Sequence, residues 1–126
     1  MSAIPDPAIL ELARHGFQNA IRRLAVRHLE APGPFEVRRM RQVERLMRIA
    51  VALTGTGSHL AYVEVHGIPS RPGDALPELL SVSLTDLLAA RVVDQLPAAL
   101  QGDAEALLAI EREAERVLET EDIQLG

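Results

Sequence analysis

The sequence predicts a mainly α fold: an antiparallel helical hairpin, two or three further helices, and a short β segment near residues 60–66. Three observations carry that expectation. Apolar residues recur at helical spacing through residues 7–30, 36–53 and 104–121, whereas strict alternation is confined to "HLAYVEVHG" at residues 59–67. The apolar share, 48% of the chain, rests on Ala, Leu, Val and Ile, with Phe17, Phe35 and Tyr62 the only aromatics. A core of interdigitated aliphatic side chains suits helices best. Finally, the break "APGPF" at residues 31–35 is so short that the helices on either side of it must fold back on each other.

Each element has its own local signal. Asp6 stands as N-cap and Pro7 at the first helical position, where a missing N–H costs nothing. From there a helix runs to about Glu30, with Leu10, Ala13, Phe17, Ala20, Ile21, Leu24 and His28 on one face. Gly16 weakens it by about 1 kcal/mol relative to Ala unless close packing requires it. A second helix spans roughly Glu36 to Leu53, with Met40, Val43, Leu46, Met47, Ala50 and Val51 as its apolar face. Gly55 or Gly57 in "TGTGS" supplies a left-handed stop.

The alternating stretch is a half-buried strand whose backbone needs a partner, either within the chain or on another subunit. "ELLSVSL" at residues 78–84 reads both as that partner and as helix. Three prolines and a glycine make residues 68–77 a loop. Thr85 caps the following helix, Pro97 interrupts or restarts it, and Gly102 with Asp103 ends one helix and caps the next. That last helix, about Ala104 to Glu121, carries Leu107, Ile110, Ala114 and Val117 in a narrow stripe suited to docking on one surface. The domain organisation is therefore one unit over 1–126, comprising a hairpin at 6–54, a β segment and loop at 59–77, and C-terminal helices at 78–121.

Composition narrows the functional classes. With no cysteine, disulfides, thiolate chemistry and cysteine-ligated metals are excluded. No window reaches the ~18 apolar residues of a membrane span and no signal peptide is evident, so the expected location is cytoplasmic, with no membrane partner. Residues 1–63 hold nine Arg against five acids and residues 64–126 hold four Arg against thirteen, so the two halves should attract, within one chain or between chains. All thirteen basic residues are Arg and none is Lys, a bacterial-like, GC-rich bias in composition.

Four features could carry chemistry. Arg38, Arg41, Arg45 and Arg48, at offsets of 0, 3, 7 and 10, form a row on the second helix; Arg22, Arg23 and Arg27 on the first could extend it. Such a row could follow phosphates or meet an acidic partner. "TGTGSH" has the glycines of a phosphate loop but follows a helix and precedes a strand, the reverse of the order that aims helix N–H groups at an anion. His59, Glu64 and His66 make a minimum metal or acid/base set. Six residues, "RHGFQN" at 14–19, resemble the phosphoacceptor box of histidine-kinase dimerisation domains, in which a helical His is followed four positions on by Asn or Thr. Gly16 replaces the acid usual there, and the chain has no ATP-binding region, so the resemblance implies at most an acceptor role for His15.

These features order three expectations. First comes a non-catalytic interaction protein that self-associates or acts as adaptor or small subunit, with no cofactor, as a homo-oligomer or with a protein partner. Second is a nucleic-acid-binding regulator or packaging factor using the arginine row. Third is a small metal or acid/base enzyme at His59, Glu64 and His66.

Overall fold

The computed structural model describes residues 6–34, 36–54, 61–66, 73 and 79–126. It is mainly helical, with a small antiparallel sheet. The elements are α1 (Pro7–Glu30), α2 (Val37–Ala52), β1 (Ala61–His66), β2 (Leu79–Ser83), α3 (Leu84–Arg91), α4 (Leu96–Leu100), α5 (Ala104–Thr120) and β3 (Ile123–Leu125).

Helix α1 begins as its sequence dictates. Asp6 Oδ1 accepts from the Ala8 N–H at 2.8 Å and Pro7 opens the helix. It is the hub of the fold, packing against α2, α3, α4 and α5. Phe17, Ile21 and Leu24 meet Ile49 and Leu53, Leu84 and Leu88 of α3, and Ile110, Ala114 and Val117 of α5 in one buried cluster. Burial of each such Phe, Leu, Ile or Val side chain stabilises the fold by roughly 1.5–3 kcal/mol. Leu10 and His28, expected on the buried face, are half-buried.

The α1–α2 hairpin is closed at both ends by side chains that bond the other helix's last carbonyls. Arg39 of α2 reaches the end of α1, donating to the His28, Ala31 and Pro34 carbonyls, with Nε 3.0 Å from His28 O. At the other end Arg14 Nε donates to Leu53 O at 2.8 Å and Gln18 Nε2 to Ala50 O at 3.0 Å. Helix termini leave such carbonyls without intrahelical partners, so these bonds satisfy groups that would otherwise need water.

The rotation of α2 differs from expectation. Its buried residues are Leu46 and Ile49, followed by Leu53, while Met40, Met47 and Val51 are 44–71% exposed. At about 100° per residue, the buried face is displaced by roughly 100° from the centre of the predicted apolar face. The reason is long-range: Arg14, Gln18 and Arg39 fix which side of α2 meets α1. Gly55 and Gly57, expected to end this helix, lie outside the described residues.

Strand order is β2-β1-β3, with both pairs antiparallel. In β1–β2, Val65 is opposite Leu80 and Val63 opposite Val82; in β1–β3, Val63 is opposite Ile123. Residues 79–83 are thus strand, and β1 is paired on both edges within the chain, which removes the need for an intersubunit strand. Ala61 and Val63 point into the core while Glu64 faces outward, as alternation requires.

Helix α3 is capped by Ser83, whose Oγ accepts from Asp86 N–H at 3.2 Å, and not by Thr85, which is buried. The strand ends at Ser83, so the cap must lie there. Helix α3 stops at Arg91, and Pro97 sits in the first turn of α4. Gly102, at φ 87°, ends α4 in a Schellman arrangement: Gly102 N–H bonds Ala99 O at 3.0 Å and Asp103 N–H bonds Ala98 O at 3.1 Å. Asp103 then caps α5 through the Ala106 N–H. The apolar stripe of α5 docks on α1 of the same chain. Among the described residues, no helix is long and apolar enough to cross a membrane.

Candidate functional site

The outer face of α2 is the most unusual surface among the described residues. Val37, Met40, Met47 and Val51 are respectively 58%, 50%, 44% and 71% exposed, with Glu44 in the middle of the row they form. Their positions follow the alternating three- and four-residue spacing of a helix-packing seam. A shallow groove of about 520 Å³ lies between this helix and the end of β3, lined by Glu44, Met47, Arg48, Val51, Ala52 and Leu125. Met40, Met47 and Val51 belong to the apolar face expected of this helix, and that face is turned outward. The available clue was that α2 carries a second apolar sector, Leu46, Ile49 and Leu53, and a hairpin helix buries only one.

Beside the seam runs the arginine row, all four members exposed. Arg48 Nη2 is 2.7 Å from Glu44 Oε1, and Arg45 Nη1 donates to Leu118 O at 3.3 Å, fastening α2 to the end of α5. Arg38 and Arg41 have no ion pair or hydrogen bond with the described residues and, with Arg45, line a second shallow depression. Arg22 on α1 is likewise exposed with no such partner.

Arg23, the other expected binding residue, is engaged inside the chain. Its Nη1 lies 3.1 Å from Glu111 and its Nε 3.0 Å from Glu115. The Nε contact is ionic without being a well-directed hydrogen bond, since Nε and Nη2 are buried with no hydrogen-bond acceptor in line. Arg27 continues the ladder toward Glu115 and Glu119 at 3.8 and 3.9 Å. Among the described residues, the ion pairs between the basic and acidic halves therefore join α1 to α5 and do not involve the row on α2. Arg27, His28, Gln42 and Arg45 also border a groove of about 380 Å³ between α1, α2 and α5, with Leu24, Leu46 and Leu118 on its walls and Glu119 on its rim.

The other candidates are dispersed. His59 lies outside the described residues, as does the side chain of His66; Glu64 is exposed on β1. Among the described residues, no three His, Cys, Asp or Glu side chains are grouped to hold a metal ion. His15 is 70% exposed, 3.5 Å from Glu11, while Asn19 donates to Glu111 Oε1 at 2.8 Å and so serves the α1–α5 contact.

What the α2 face can do chemically is exclude water from an apolar strip while its arginine edge pairs with negative charge. Comparison with protein-family models, curated proteins and solved structures finds no match to this chain.

Proposed function

We propose that the chain is a non-catalytic interaction protein, an adaptor or small subunit, whose recognition surface is the outer face of α2. The observation that carries this reading is the row of Val37, Met40, Met47 and Val51, exposed at packing-seam spacing on a helix already anchored by its other side to α1. Isolated exposed aliphatics are ordinary, whereas an ordered strip of them beside charged residues is the anatomy of an interface. A photo-crosslinking residue placed at Met47 in the native cells tests it, with Arg112 on α5 as the control position. Discrete covalent adducts at position 47 and none at 112 are expected; equal labelling at both overturns the reading.

A second reading, binding of nucleic acid, is favoured by one observation: Arg22, Arg38 and Arg41 have no acidic partner among the described residues. Its test is retention of a short DNA or RNA duplex that weakens steeply with salt and is lost in Arg38→Gln/Arg41→Gln. Retention indifferent to those arginines sinks it.

A further inference from the structure

Resting on the interaction-surface reading, we infer that the occupant of the α2 face is an amphipathic helix of another protein that carries acidic residues along one edge. At about 100° per residue, Val37, Met40, Glu44, Met47 and Val51 occupy one sector of α2, Arg48, Arg41, Arg45 and Arg38 the next, and Leu46, Ile49 and Leu53 the buried side. The seam is bordered by cations on one flank only. On its other flank the helix turns back toward α1 through Val43 and Ala50, both half-buried. A helix laid in the groove by the seam thus meets Val37, Met40, Met47 and Val51 along its middle, with Glu44 between them, and guanidinium groups along one edge. Arg41, which borders the seam and has no acidic partner among the described residues, is the group that such an edge would satisfy first, with Arg38 further round the helix.

Charge argues against a second copy of the chain bringing its own α2. The seam is symmetric about Glu44, so a twofold axis through it sets Glu44 against Glu44 of the second copy. Parallel pairing in register does the same, and a shift by one layer sets Glu44 on Met47. The twofold and in-register arrangements set carboxylate against carboxylate, and the antiparallel one also brings the arginine flanks toward each other, whereas a helix of another protein need bring neither like charge. A lipid surface is disfavoured by the same residue, because Glu44 would be carried below the headgroups with Met40 and Met47. A duplex would use the arginines and leave the methionine strip without a role.

The test uses the full chain and two synthetic three-heptad peptides whose leucine seams carry one central asparagine to meet Glu44, one peptide edged with glutamate and one with lysine. Binding is followed by fluorescence anisotropy of the labelled peptide at low salt. The glutamate-edged peptide should bind at least tenfold more tightly than its lysine twin. Arg38→Glu/Arg41→Glu should invert that preference, and Met47→Ser should weaken both, with circular dichroism confirming that each variant is folded. Equal affinity for the two peptides, no binding of either, or tighter binding to anionic phosphatidylglycerol vesicles or a DNA duplex overturns the inference. A doubled mass in light scattering that Met47→Ser abolishes also overturns it, in favour of a second copy. If crosslinking at position 47 persists while the glutamate-edged peptide fails to bind, the partner chemistry is wrong and the surface stands. If the peptide binds but position 47 captures nothing in cells, the functional reading fails instead.

Discussion

Gly16 and Ile110 mark the closest approach of α1 to α5: a Cβ built on Gly16 would lie 2.9 Å from Ile110 Cγ2, with Leu88 Cδ2 next at 3.6 Å. The obstructing methyl is the β-branch of a buried side chain, so it cannot swing aside as a flexible terminus would. A glycine inside a helix is thereby explained by packing.

Gly16→Ala should therefore destabilise the protein. Alanine gains about 1 kcal/mol in helix propensity, and overpacking costs about 1–3 kcal/mol, leaving a net loss of up to about 2 kcal/mol. Ile110→Leu moves the branch away from Cβ and should recover part of that loss in the double variant. Urea titrations followed by circular dichroism would measure the cycle; a more stable Gly16→Ala variant would show that the two helices are not so close.

Arg39 and Arg38 are neighbours in sequence with opposite fates. Arg39 spreads its guanidinium over three carbonyls at the α1–α2 turn, geometry that a lysine ammonium cannot reproduce. Arg39→Lys should cost about 1–2 kcal/mol and speed hydrogen exchange around residues 28–34, while Arg38→Lys should change stability by less than about 0.5 kcal/mol. Equal effects in the two variants would remove Arg39 from its capping role.

These two residues also show what could be read from the sequence. The ends of α1, the restart at Pro97, and Gly102 with Asp103 were legible because caps, prolines and left-handed glycines act within a few residues. The strand state of residues 79–83 was ambiguous locally and is decided by pairing with β1, and β3 was not anticipated because three residues carry no detectable alternation. The buried face of α2 is not legible locally because its rotation depends on Arg14 and Gln18, more than thirty residues away. The arginine row was visible as a row; that Arg23 is committed to Glu111 and Glu115 while Arg41 is not depends on how α1 lies along α5.

That division of the arginines gives a salt-dependent prediction. Arg23→Ala leaves Glu115 with only the longer Arg27 contact and should cost about 1 kcal/mol at low ionic strength, the upper range for a partly exposed network. Arg41→Ala should be neutral within about 0.5 kcal/mol. In ~1 M salt the Arg23 effect should shrink, because only part of the ladder is shielded from solvent. A larger loss for Arg41→Ala than for Arg23→Ala would mean that α2, and not α1, holds the acidic half.

The rotation of α2 itself can be tested by two substitutions two positions apart. Ile49 is fully buried against α1, so Ile49→Ala removes packed atoms and leaves a cavity, at about 2–5 kcal/mol. Met47 is 44% exposed, so Met47→Ala should change stability by less than about 0.5 kcal/mol. Thermal and urea unfolding of the two variants would separate these outcomes widely. Should Met47→Ala prove the more damaging, the methionine seam would be part of the core and unavailable to any partner. The expected pattern, a costly Ile49 and a silent Met47, would mean that the seam contributes little to folding, so that its apolar character requires a reason other than stability.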